Sequence, residues 1–164
     1  MAALNLWGRN IMSNLNLDLD ARVAELREAS FGCSQVVMTI GLERLNVDAE
    51  LISALVSSME GYCGGACGGT CGGLCGGAGL LGFYLGKGTP DEPRSAALKD
   101  LVKTLTQEFS DKWGASTCDG IIHGEEAKHK AICPKLMADT IQRVWDILKA
   151  NNINPDSRNA GKGI

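Results

Sequence analysis

The sequence predicts an all-α protein, a bundle of about five to six helices packed around a central segment rich in glycine and cysteine. Three observations support this fold class. Several stretches repeat apolar residues at the spacing of one helix face, and no stretch alternates apolar and polar residues as a half-buried strand would. In the segment 61–88, four cysteines recur at every fourth position, each followed by a Gly-Gly pair. Residues four apart lie on one side of a helix.

The composition suits a single domain with an apolar core, because 45% of the 164 residues are hydrophobic. A net charge of −3 and the lack of a basic stripe argue against a nucleic-acid surface. No run of about 18 apolar residues occurs, so we expect no membrane span, and the first residues lack the pattern of a signal peptide. Seven cysteines are an odd number for a disulfide framework. They indicate free or metal-bound thiols in the reducing cytoplasm.

Three helices are predicted between an N-terminal leader, residues 1–19, and the cysteine-rich segment. Asp18 or Asp20 can cap the first helix, Ser34 the second and Asp48 the third, since short polar side chains accept the unpaired N–H groups of a first turn. The predicted spans are 20–29, 35–45 and 49–59. Apolar residues at helical spacing are expected to face the core in each of them.

The cysteine-rich segment has two interpretations. A spacing of four would place Cys63 to Cys75 in a thiol stripe along one side of a helix. Glycine opposes a helix by about 1 kcal/mol per residue relative to alanine, so the segment is either a helix buried among close neighbours or a loop around a metal. Leu74, Leu81 and Leu85 favour a helix for its later part. Strict cysteine spacing argues against a flexible linker.

After the segment, helical patterns resume. Pro93 suits the first turn of a long helix that Gly114 ends, and 115–124 is expected to be a loop. The predicted spans are 94–113, a short charged helix over 125–131, and 134–150. The single helical domain is therefore expected to cover 20–151, followed by a disordered polar tail over 155–164.

The thiols are the residues most suited to chemistry. Cys33 and Cys133 are expected near helix starts, where the partial positive charge favours the thiolate, and Cys118 in a loop. Thiolates are ligands for iron–sulfur clusters, Zn and Cu(I). No Cys-x-x-Cys occurs, which argues against a zinc ribbon or thioredoxin-type exchange, but the spacing does not select a metal. His123 is a candidate nitrogen ligand. The candidate metal ligands are Cys33, Cys63, Cys67, Cys71, Cys75, Cys118 and Cys133.

The order of the cysteines resembles a bacterial and archaeal family of redox-active proteins named for its C…GCAxxG…C…C pattern. The resembling features are Cys33, the run Cys71-Gly72-Gly73-Leu74-Cys75-Gly76, Cys118 after Trp113-Gly114, and Cys133-Pro134. The resemblance covers roughly residues 20–148, with Gly73 in place of the alanine of the family pattern. It implies a helical protein with an iron–sulfur cluster held by Cys33, Cys71, Cys118 and Cys133. Cys63, Cys67 and Cys75 are additional to that set.

The sequence supports three functional hypotheses. The first is a small iron–sulfur protein for electron transfer or redox sensing, working with a redox partner protein rather than on a substrate of its own. The second is a protein that binds Cu(I) or Zn through the four-residue repeat. The third is a metal-free dithiol protein that cycles through a disulfide. Glycine-rich helix faces can pack closely, so the sequence is also compatible with a homodimer.

Overall fold

The structure is a computed structural model that describes residues 18–158. That range contains seven α-helices, one 3-10 helix and no strand, which confirms the all-α class. In order, the helices are α1 (Leu19–Glu28), α2 (Cys33–Arg44), α3 (Ala49–Ser58), the 3-10 helix (Glu60–Gly65), α4 (Gly72–Leu85), α5 (Leu98–Trp113), α6 (Cys118–Ile122) and α7 (Glu126–Ala150). Predictions for the leader up to residue 17, and for the tail from residue 159, lie outside the described residues.

The glycine-rich helix α4 lies at the centre, in contact with α2, α5 and α7. Its glycines are the reason that neighbours approach so closely. A Cβ added at Gly76 would lie 2.8 Å from the Ser34 carbonyl oxygen on α2, and one at Gly77 would lie 2.8 Å from Thr140 Cγ2 on α7. The prediction of a helix buried among close neighbours is therefore confirmed for the later part of the segment.

The earlier part of the segment is not a helix that carries a thiol stripe. Cys63 lies in the short 3-10 helix, where its own backbone is extended (φ −79°, ψ 152°). The Gly-Gly pairs after Cys63 and Cys67 have φ between 60° and 83°, a left-handed conformation that glycine adopts without steric cost. The predicted stripe from Cys63 to Cys75 is therefore wrong, because only Cys75 lies within α4.

Two helix starts differ from the prediction. Helix α2 begins at Cys33, with Gly32 as its N-cap, rather than after Ser34. Ser34 is fully buried, and its hydroxyl donates to the Met59 carbonyl over 2.6 Å. Helix α5 begins at Leu98 rather than Arg94, and the Leu98 N–H donates to the Ser95 hydroxyl. Asp18 and Asp48, in contrast, cap α1 and α3 as expected.

The C-terminal third of the chain is more helical than the sequence indicates. The expected loop after Gly114 contains the short helix α6. The two helices expected on either side of Pro134 form one helix, α7, with the proline inside it.

The segment after α7 packs against the bundle. Ile153 is buried, and the fully buried Tyr84 hydroxyl donates to the Pro155 carbonyl over 2.6 Å. Arg44 pairs with Asp156 at 2.8 Å, and the Arg158 guanidinium lies over the Phe83 ring. The first four residues of the predicted disordered tail are thus ordered by contacts with the helices. Within the described range, no helix has the length and apolar character needed to cross a membrane.

Candidate thiol site

Three cysteines mark the starts of three helices. Cys33 is the first residue of α2, Cys71 is the N-cap of α4, and Cys118 is the first residue of α6. The N-terminus of a helix carries partial positive charge and unpaired N–H groups, and both favour a thiolate or a sulfur ligand of a metal. At the start of α4, the N–H groups of Gly73 and Leu74 act on the Cys71 sulfur in this way.

A short antiparallel pairing holds Cys71 beside the start of α6. The Cys71 N–H donates to the Ser116 carbonyl, and the Cys118 N–H donates to the Gly69 carbonyl, both over 2.8 Å. Thr70 and Thr117 face each other between these two bonds. The starts of α4 and α6 are therefore fixed relative to each other by the backbone.

Glycine at the start of α4 makes room for the sulfur of Cys33. A Cβ at Gly72 would lie 2.6 Å from Cys33 Sγ and 2.8 Å from the Tyr62 carbonyl oxygen. Such distances are shorter than carbon–sulfur and carbon–oxygen contacts allow, so only glycine fits without a shift of α2 or of the Tyr62 backbone. The Cys33 sulfur therefore lies against the backbone of α4, the helix that Cys71 caps.

Cys133 supplies the fourth thiol, and its side chain is buried. The prediction that it lies near a helix start is wrong, because α7 begins seven residues earlier, at Glu126. Burial raises the pKa of Cys133 to about 12, and repulsion from Cys33, Cys71 and Cys118 adds to the increase. Such repulsion weakens with distance, so the other three thiols lie in the vicinity of Cys133.

Cys71 is the other buried thiol of this set. Burial raises its pKa to about 11, while the N–H groups of Leu74 and Gly73 favour the thiolate and oppose the increase. Charges on Cys33 and Cys118 raise the pKa further. Without a bound cation, Cys71 is therefore a neutral thiol at neutral pH.

The three additional cysteines lie beside this set. The Cys63 sulfur is 2.9 Å from the Ser34 hydroxyl and fills the space that a side chain at Gly32 would need. Burial raises the pKa of Cys75, and repulsion from Cys67, Cys33 and Cys63 raises it further. Cys67 is the one exposed thiol among the described cysteines. Cys63 also lies near Cys33, since a Cβ at Gly72 would contact both residues.

The donor chemistry of this site fits a thiolate-bound group, since all seven cysteines are free and no disulfide occurs among residues 18–158. The side chains are not, however, arranged around a single ion. In the described part of the chain, no three His, Cys, Asp or Glu side chains stand in the geometry of one metal ion's ligands. His123, a candidate from the sequence, is exposed at the left-handed residue that ends α6.

A small cavity of about 240 Å³ opens beside Cys118. Its walls are the backbones of Gly64, Gly65 and Gly69, with Asp119 and Ile122 of α6. The missing side chains of this glycine-rich loop leave the cavity open, so a small molecule can approach the thiol site from this side.

Sequence reasoning missed two features of the site. Thr117 caps α6, its hydroxyl accepting the Gly120 N–H, and a threonine directly before Cys118-Asp119 is the signal that could have revealed that helix. The hydrogen bond from Ser34 to the Met59 carbonyl leaves no comparable signal, because the two residues are 25 positions apart.

Comparison with known proteins agrees with the cysteine order. Residues 31–147 match the model of the family described as "Putative redox-active protein (C_GCAxxG_C_C)". No curated protein and no solved structure matches the chain. The matched range includes Cys33, Cys71, Cys118 and Cys133 and covers well over half of the sequence. The chain belongs to the C_GCAxxG_C_C family.

Proposed function

We propose that the protein binds an iron–sulfur cluster through Cys33, Cys71, Cys118 and Cys133 and uses it for electron transfer or redox sensing. The main support is that Cys33, Cys71 and Cys118 lie at the starts of α2, α4 and α6 and that their charges act on the buried Cys133. The resemblance to the family pattern implies the same four thiols, and all of them lie within the matched residues 31–147.

The chain contributes ligands, hydrogen bonds and exclusion of water. A cluster would supply one-electron chemistry. Cys71 and Cys133 lose their protons when they become ligands, because only the thiolate binds metal. The N–H groups of Gly73 and Leu74, near the Cys71 sulfur, would stabilise negative charge on it and so raise the reduction potential.

The first experiment is the analysis of iron, acid-labile sulfide and the visible spectrum of the protein purified without oxygen. We expect iron and sulfide in similar amounts and a brown colour. Protein that remains colourless after reconstitution with iron and sulfide would overturn the proposal.

Matched cysteine variants test which thiols act as ligands. Cys71→Ser should lose most of the iron and the visible absorbance, whereas Cys67→Ser should keep both, since Cys67 is exposed and outside the set of four. Equal iron content in the two variants would contradict the proposed ligands.

A second candidate function is supported by the position of Cys75, close to Cys33, Cys63 and Cys67. These thiols could bind Cu(I) or Zn, with soft sulfur as the only donor. Colourless protein with bound copper or zinc, lost in a Cys63→Ser/Cys67→Ser/Cys75→Ser variant, would favour this function. A metal-free dithiol protein would instead gain and lose a pair of titratable thiols on reduction and oxidation.

A further inference from the structure

A large cavity in the described part of the chain lies away from the thiols. It has a volume of about 790 Å³ and is formed by the loop after α4 and the first half of α5. Cys71 caps the opposite end of α4, and a helix of that length spans about 20 Å. The cavity is therefore separate from the thiol site.

The lining of this cavity is positively charged. Lys87, Arg94, Lys99 and Lys103 contribute to it, and no acidic residue of the described range does, although the whole chain has a net charge of −3. Four cations at one cavity in an acidic protein indicate a ligand with negative charge.

Two of these cations have no partner within residues 18–158. Lys103 pairs with Asp100 at 3.1 Å, and the Lys87 ammonium donates to the Pro90 carbonyl over 2.6 Å. Arg94 and Lys99 make neither an ion pair nor a side-chain hydrogen bond there, so their donors are free to bind an anion. A guanidinium can donate two parallel hydrogen bonds to a carboxylate or phosphate group.

The floor of the cavity is apolar. Leu98 and Val102 are half-buried, pack against the core, and line the cavity together with Pro90. The adjacent loop is ordered, because the Glu92 carboxylate accepts the N–H groups of Gly88 at 2.6 Å and Thr89 at 3.3 Å. The walls are therefore held in place before a ligand arrives.

We propose that this cavity binds a small organic anion, with one carboxylate, phosphate or sulfonate group on an apolar body. The anionic group contacts Arg94 and Lys99, and the apolar body lies on Leu98, Val102 and Pro90. A volume of about 790 Å³ falls within the range of about 300–1000 Å³ that is typical of small-molecule sites.

Titration calorimetry of the full chain with three probes tests both parts of the ligand. Octanoate has the anion and the apolar body, inorganic phosphate has only the charge, and 1-octanol has only the apolar body. We expect octanoate to bind at least tenfold more tightly than either of the others. Octyl phosphate and octyl sulfate then report which anionic group the cavity prefers.

A charge-matched pair of double variants locates the site. Arg94→Gln/Lys99→Gln should weaken octanoate binding at least tenfold, while Lys135→Gln/Lys149→Gln, with the same loss of charge on α7, should leave it unchanged. All four side chains are exposed, so the variants should fold, and circular dichroism checks this. The absence of binding by octanoate, octyl phosphate and octyl sulfate at millimolar concentration would overturn the proposal. So would equal binding by the two double variants, or phosphate binding as tight as that of octanoate.

Discussion

The sulfur of Cys33 occupies the space in which a side chain at Gly72 would lie. In Gly72→Ala, the new methyl group would lie 2.6 Å from that sulfur and 2.8 Å from the Tyr62 carbonyl oxygen. We expect the free energy of unfolding of the metal-free protein to fall by about 1–3 kcal/mol, as in other overpacked sites. Iron content after reconstitution should fall as well, because Cys33 is displaced. Urea denaturation and iron analysis measure the two effects.

Gly82, in the same helix, is the matched control. A Cβ at Gly82 meets no atom within 4 Å. Gly82→Ala should raise the free energy of unfolding by roughly 0.5–1 kcal/mol, since alanine loses less conformational entropy in a helix, and should leave iron content unchanged. If both variants lose iron equally, the loss comes from substitution in helix α4 in general and not from displacement of the Cys33 sulfur.

The reactivity of the thiols should depend on their burial. Cys71, with a pKa of about 11, and Cys133, with a pKa of about 12, are protonated and covered at pH 8, and only the thiolate is alkylated. In metal-free protein, iodoacetamide should therefore label the exposed Cys67 first and these two thiols last. Mass spectrometry of the peptides gives the order. Labelling of Cys71 as fast as that of Cys67 would contradict the buried position.

The same pKa increase makes the metal-free protein less stable in alkali. The Cys71 thiol ionises near pH 9 in an unfolded chain and at about pH 11 in the folded one, so between these values the folded state binds more protons. Stability then falls as pH rises, by up to about 3 kcal/mol for a pKa difference of this size. Denaturation curves from pH 8 to about pH 11 should show this slope. Cys71→Ser should reduce it, while the buried Cys133, whose pKa is raised to about 12, continues to contribute.

At the scale of the elements, one repeated sequence adopts two structures. The Gly-Gly pairs after Cys63 and Cys67 have positive φ, whereas those after Cys71 and Cys75 are helical. The repeats themselves are nearly identical, so the difference comes from the residues beyond them. The leucines of α4 pack into the core, and the earlier repeats have no comparable apolar residues. The sequence therefore predicts a helix in the later part of the segment, but it does not show at which residue that helix begins.

Helix α7 differs from the prediction at Pro134, which lies inside the helix and not at its start. Proline lacks the N–H that would bond the carbonyl four residues earlier, so the sequence predicts a helix start at Pro134. The structure instead continues the helix from Glu126 to Ala150, and its buried residues all lie from Cys133 onward. Before the proline, the helix is supported by the Lys130–Glu126 ion pair and by Ile132, which packs against the core.

That cost should be measurable. Pro134→Ala restores a hydrogen bond donor within α7, so we expect the free energy of unfolding of the metal-free protein to rise, by up to about 3 kcal/mol. Lys135→Ala, at an exposed neighbouring position, should change it by less than about 0.5 kcal/mol. Chemical denaturation measures both. A less stable Pro134→Ala protein would mean that the proline ring contributes packing beside Cys133.

At the scale of the whole molecule, residues distant in sequence are joined by the C-terminal segment. Tyr84 is fully buried and donates to the Pro155 carbonyl over 2.6 Å. Tyr84→Phe leaves that carbonyl unpaired, and the free energy of unfolding should fall by about 1–2 kcal/mol. The exposed Tyr62 provides the control, since Tyr62→Phe should have no effect. Limited proteolysis should release the C-terminal segment faster only in Tyr84→Phe.

The sequence was sufficient for the fold class, because apolar periodicity is a local signal. It also predicts four ligand cysteines from their order, and that prediction awaits the iron analysis of the cysteine variants. It could not provide the pairing of residues 69–71 with 116–118, which fixes Cys71 beside Cys118. Backbone pairing between segments so far apart depends on the packed bundle and leaves no pattern in either segment.

Six of the 14 residues of α4 are glycine, so this helix has little tendency to form by itself. It can fold only against α2, α5 and α7, and we expect it to dock after they have associated, with φ-values near zero in a folding-rate analysis. Cys71 and Cys75 reach their neighbours only in that last step. Until α4 has docked, all seven thiols belong to a partly folded chain, and an oxidant can form non-native disulfides between them. We therefore expect refolding of the denatured protein with a thiol reductant to give a higher yield of native protein than refolding without one.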